Sequence, residues 1–110
     1  MSWTITYYSE AVMSWVNDLP VGIRAHYARI TERMERLGPN LGMPYTRAMG
    51  EGLLEIRAKG REGSARVFYC IVVGSRIMIL HGFIKKTEKT PGKELALARA
   101  RKKEVGGENT

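Results

Sequence analysis

LLEIRAKGREGSARVFYCIVVGSRIMILHGFIKK (53–86) reads as three strands joined by two hairpin turns. Gly60-Arg61-Glu62-Gly63 and Gly74-Ser75 supply the turns, each with the glycine that tight hairpins need. The runs between them, roughly 53–59, 64–73 and 76–86, are rich in β-branched and aromatic residues. A four-residue loop at 60–63 pairs Lys59 with Ser64 and Arg57 with Arg66. A two-residue loop at 74–75 pairs Val73 with Arg76, Phe68 with His81, Arg66 with Phe83 and Ser64 with Lys85. Side chains alternate across a strand, so both hairpins sort onto the same two faces. One carries Leu54, Ile56, Ala58, Val67, Tyr69, Ile71, Leu80, Gly82 and Ile84, a core face. The other carries Glu55, Arg57, Lys59, Arg66, Phe68, His81, Phe83 and Lys85. A slip of one residue would put Arg57 or Arg66 into the core. On this register Cys70, Val72, Ile77 and Ile79 continue the charged face at its far end and need cover, from the C-terminal helix or a partner chain.

N-terminal to these strands, Trp3 to Tyr8 is aromatic and β-branched and predicts a first strand. Ser9 is placed to cap a helix whose apolar residues Val12, Trp15, Val16 and Leu19 recur at helical spacing. Ile23, Tyr27, Ile30, Met34 and Leu37 make the stripe of a second helix, stopped by Gly38-Pro39. The two helices form an antiparallel hairpin. The segment 39–52, dense in Gly and Pro, reads as a loop. Thr90 caps and Pro91 begins a last helix running to about Glu104. The order is β-α-α-β-β-β-α, an α+β fold with the helical hairpin packed on one face of an antiparallel sheet. A single domain spans 1–104, and 105–110 is expected to fray.

A chain of 110 residues fits one domain. Eighteen Lys and Arg against eleven Asp and Glu give a formal charge of +7, which favours a polyanionic partner. Cys70 is the lone cysteine, which excludes a disulfide framework. His26 and His81 lie far apart with no Cys-x-x-Cys near them, so no metal site or cofactor is expected. His26 falls off the apolar stripe of its helix and is expected to be solvated. With no leader pattern and no apolar run of membrane-spanning length, the expected location is the cytoplasm, with no membrane partner.

Arg57 opposite Arg66 is the most informative pair. Like charges across a strand pair destabilise by up to roughly 1 kcal/mol, so a sheet that keeps them has a use for an anion between them. Glu55 offers a plainer account by neutralising one arginine diagonally. Lys59 and Lys85 add positive charge nearby. His81 titrates near neutrality when unperturbed and is a candidate for proton transfer, or else a packed histidine. Phe68 and Phe83 offer stacking platforms for bases, or else packing. The run 85–103 holds eight of the eighteen Lys and Arg and two Glu; Lys85, Lys86 and Lys89, at and after the end of a strand, suit phosphate contacts better than a solvated helix face explains them.

The strands LLEIR (53–57) and ARVFY (65–69), the loop LGPNLGMPY (37–45) and above all LHGFIKKTEKTP (80–91) resemble the RelE/ParE toxin superfamily, in particular its phage-type HigB branch. The resemblance spans nearly the whole chain. It implies the toxin of a type II toxin–antitoxin pair that cleaves mRNA on the ribosome, held inactive by a helix-turn-helix antitoxin. It implies that Arg57, Lys59, Arg66, Lys85 and Lys86 occupy the family's basic positions. No C-terminal tyrosine matches the RelE pattern. The chemistry would need no metal: the ribose 2′-OH attacks the adjacent phosphate, with Arg57, Arg66, His81 and Lys85 as catalytic groups and Lys59, Phe68, Phe83, Lys86 and Lys89 as RNA contacts. Two other readings are a ParE-like toxin inhibiting DNA gyrase without nuclease activity, and a non-catalytic nucleic-acid-binding module.

Overall fold

The structure, a computed structural model, describes residues 2–108. Its elements run β1 (Thr4–Tyr7), α1 (Glu10–Asn17), α2 (Val21–Leu37), β2 (Thr46–Gly50), β3 (Leu53–Gly60), β4 (Gly63–Val72), β5 (Arg76–Ile84) and α3 (Gly92–Glu104). The α+β architecture is the expected one and is compatible with a RelE-like fold. Five strands form one sheet in the order β1-β5-β4-β3-β2.

Three features depart from expectation. Thr46–Gly50 lies within the segment read as a loop, yet it pairs antiparallel with β3, Arg47 opposite Glu55. The sheet is mixed, because β1 runs parallel to β5. The β4–β5 register holds at Arg66↔Phe83 and Phe68↔His81 and then shifts, giving Tyr69↔Ile79 and Val72↔Arg76 in place of Val73↔Arg76. Leu80 is the extra residue of this bulge, and an extra residue reverses the facing of everything beyond it. Ile77 and Ile79 therefore enter the core beneath α1 and α2, while Leu80 joins the opposite face.

That opposite face solves its own need for cover. Ala98, Leu95 and Val105, from α3 and its end, pack on Leu53, Phe68, Cys70, Val72 and Leu80. Within the tail expected to fray, the Gly107 N–H donates to the Lys102 carbonyl and the Glu108 N–H to that of Ile71 in β4. The last two positions of that tail and Met1 lie outside the described residues.

Local chemistry fixes the helices. Ser9 caps α1 by accepting from the Val12 N–H at 3.2 Å, as expected. No side chain of its own N-terminus caps α2; instead Glu62, at the tip of the β3–β4 hairpin, accepts from the Gly22 N–H at 2.9 Å. This contact holds the Glu62 carboxyl below its ordinary value. Gly60 allows the approach, since a Cβ there would sit 2.5 Å from the Ile23 nitrogen. Thr90 does not cap α3, whose N-cap Pro91 accepts from the Glu94 and Leu95 N–H groups through its carbonyl.

Candidate functional site

α3 covers the apolar end of the second sheet face and leaves its charged end to β2, β3, β4 and the chain after β5. The registers Arg47↔Glu55 and Arg57↔Arg66 bring Arg47, Glu55, Arg57 and Arg66 together across three strands. Glu55 lies between the two expected arginines: its Oε1 is 3.7 Å from Arg57 Nη1 and 3.8 Å from Arg66 Nε. Arg66 is 4% exposed and Glu55 1%, so this is a buried charge cluster with Arg57 as its outer member. Arg66 stands on the charged face, as its register predicts, and is nearly enclosed there. Arg57 and Arg66 do face each other, and Glu55 balances both rather than one.

Two atoms in this cluster lack partners. Glu55 Oε2 and Arg66 Nη1 are buried and make no hydrogen bond. Orphaned buried polar groups cost about 1–3 kcal/mol each and are rare enough to call for a reason. Here an acceptor and a donor are left over within one charge cluster. Burial pushes the Glu55 carboxyl up, against the downward pull of Arg66, Arg47, Arg57 and Lys85. Burial and the neighbouring Arg57 lower the Arg66 guanidinium, which still remains a cation. Lys85 belongs to the cluster electrostatically, acting on Glu55. Lys59 is exposed at the end of β3.

The remaining expected residues fall elsewhere. Phe68 is fully buried and Phe83 8% exposed, their rings 5.9 Å apart beneath α3. They are core, and Phe68 has no face to offer a base. The register sets His81 beside this core, where its Nε2 lies 2.7 Å from Glu94 Oε1 in the first turn of α3. His81, Glu94 and Lys86 line a cleft of about 680 Å³ between α1 and α3. Lys89 is exposed in the loop before α3, where its carbonyl accepts from the Thr87 hydroxyl. The structure thus joins Arg57, Arg66 and Lys85, and sets His81 and Lys86 in the adjoining cleft.

Several participants were not foreseen. Arg47 lies in β2, within the segment whose glycines and prolines predict a loop. Glu94 as the partner of His81 depends on the path of the 85–91 connection. His26 is not simply solvated: its Nδ1 accepts from the Lys59 N–H at 2.8 Å, closing the β3 edge beyond β2. Burial and the nearby Arg29 and Lys59 lower its pKa, consistent with an accepting, neutral ring. The one sequence signal for the cleft was Gly82, an isolated strand glycine of the kind that marks close approach; a Cβ there would meet the Trp15 ring at 2.3 Å. Among the described residues no three His, Cys, Asp or Glu side chains gather as metal ligands, and no helix is long and apolar enough to cross a membrane.

Among curated proteins none matches the chain. The family described as phage-derived Gp49-like proteins (DUF891) matches residues 14–103, from the second half of α1 to the last turn of α3, with β1 outside the match. That family is associated with the toxins of toxin–antitoxin pairs. The chain belongs to the Gp49-like family of phage-derived proteins.

Proposed function

We propose that this protein is a HigB-like toxin of a type II pair that cuts mRNA on the ribosome, in the cytoplasm, by activating the ribose 2′-OH. The observation that carries this reading is the pair of unpartnered atoms, Glu55 Oε2 and Arg66 Nη1, buried together among cations. Glu55 takes the proton from the 2′-OH, a role suited to a carboxylate whose proton affinity burial has raised. The 2′ oxygen attacks phosphorus, and Arg66 and Arg57 hold the phosphate oxygens on which charge accumulates. Lys85 adds to that field. The bond to the 5′ oxygen breaks and that oxygen takes a proton, for which His81, oriented by Glu94, is the donor. The products are a 2′,3′-cyclic phosphate and a free 5′-OH. Lys59, Lys86 and Lys89 contact the RNA backbone on either side. A cognate helix-turn-helix antitoxin restrains the activity.

Tightly controlled expression followed by mapping of new 5′ ends in cellular RNA tests this directly. New 5′-OH ends within translated messages are expected, and they should vanish with Arg66→Ala. Growth arrest without new RNA ends but with loss of gyrase supercoiling would replace the nuclease with a gyrase inhibitor.

A further inference from the structure

β1 covers the outer edge of β5 only as far as Tyr7↔Ile79, and the Tyr8 N–H donates to the Ile79 carbonyl as the chain leaves for α1. The next carbonyl, that of Leu80, accepts from Arg101 Nη1 of α3 at 2.8 Å. Beyond it the edge is open. The Lys85 N–H donates to Ser64, so alternation turns the backbone of Phe83 and Lys85 toward β4 and that of Gly82 and Ile84 away from it. Gly82 and Ile84 thus aim two N–H and two C=O groups into the cleft between α1 and α3. One wall, from α1, is apolar and ends in Trp15, whose ring lies against Gly82. The other carries Arg101 of α3, and Lys86 lines the cleft after β5.

An exposed ladder of alternating donors and acceptors is what an added strand requires. Phosphates would find the cations here but would have no use for the carbonyls. We propose that this edge receives an extended segment of the antitoxin as a sixth strand beside β5, with apolar side chains turned toward Trp15 and acidic ones toward Lys86 and Arg101. The chain's charge of +7 favours that acidic pattern. Seated there, the segment would cover His81 and Glu94, which line the same cleft. The proposal rests on reading the chain as a toxin with a protein antitoxin.

The test uses the chain alone and in complex with the product of the neighbouring gene, co-expressed and co-purified. Hydrogen exchange read residue by residue should slow by about tenfold or more at the Gly82 and Ile84 amides in the complex. Ile84→Pro removes one outward donor and leaves the β4 ladder intact, so it should weaken the complex by about tenfold, the worth of one hydrogen bond. Lys86→Glu, at an exposed side chain, should weaken it too and needs no change of backbone. A complex in which both amides exchange as in the free chain overturns the strand and leaves the toxin–antitoxin pair standing. Protection of the same amides by an RNA oligonucleotide alone assigns the edge to nucleic acid and also overturns it. Failure of any complex to form overturns it together with the partner. A complex with protected amides, from a protein that cuts no RNA, upholds the strand and removes only the nuclease.

Discussion

Replacing Glu55 by Gln separates the chemistry of the charge cluster from its stability. The substitution keeps the shape of the side chain and removes its charge. Each arginine contact, at 3.7 and 3.8 Å, contributes about 4 kcal/mol of attraction at an effective dielectric constant of about 20. Burying an ion costs several kcal/mol, and the raised Glu55 carboxyl shows that burial outweighs the surrounding cations. A carboxyl raised in the folded state binds its proton better there than in the unfolded chain. Its ionisation therefore lowers stability, with no penalty below the unfolded value near 4.3 and the full penalty above the folded one. Glu55→Gln should match the wild type in melting temperature near pH 4 and melt no lower, or a few degrees higher, at pH 7. Its cleavage of RNA should fall by about 10²–10⁴-fold, the loss expected for a general base. Circular dichroism melts at several pH values and quantification of 2′,3′-cyclic phosphate ends on ribosome-bound message read both quantities. Cleavage within tenfold of wild type would remove Glu55 as the base. A fall of more than about 8 °C at pH 7, roughly 1–2 kcal/mol for a domain of this size, would mean that the arginines outweigh burial.

Arg66→Ala should abolish cleavage and also destabilise by about 3 kcal/mol, the low end for breaking a buried ion pair because Arg57 still faces Glu55; chemical denaturation checks this, and unchanged stability would contradict the burial of the pair. Gly60→Ala forces the β3–β4 hairpin away from the Ile23 nitrogen and should lose about 1–3 kcal/mol, measured by the same denaturation. His26 is lowered in the folded state, so its contribution is present above the unfolded value near 6.5 and is lost as pH falls through the folded one; His26→Asn, which retains an acceptor for the Lys59 N–H, should flatten that part of the stability profile.

The β3–β4 register was legible because Arg57 and Arg66 tolerate only one parity, and the observed pairs Arg57↔Arg66 and Lys59↔Ser64 follow it. The bulge at Leu80 was not, because Ile77-Met78-Ile79-Leu80 is apolar at every position and alternation is silent where both faces are apolar. β2 was masked by its brevity and by Pro44, Gly50 and Gly52 around it; what makes it a strand is the neighbouring β3, a tertiary cause. Arg57, Arg66 and Lys85 were readable as a cluster from strand parity alone. The depth of Arg66, the central place of Glu55 and the attachment of His81 to α3 depend on which helix covers which end of the sheet, and no local pattern encodes that.

The parallel pairing of β1 with β5 has a consequence for the timing of folding. Thr4 meets Arg76 and Ile5 meets Ile77, partners separated by most of the chain. Such non-local pairings slow folding, because the loop between them must close before the contact repays it. During synthesis the first strand emerges early and must wait until β5 has left the ribosome. Until then β1 has no strand to join, and β4 has no neighbour on the side that β5 will take. The nascent chain thus has an interval, set by the spacing of these two strands in the sequence, in which its sheet is complete on one side and unfinished on the other.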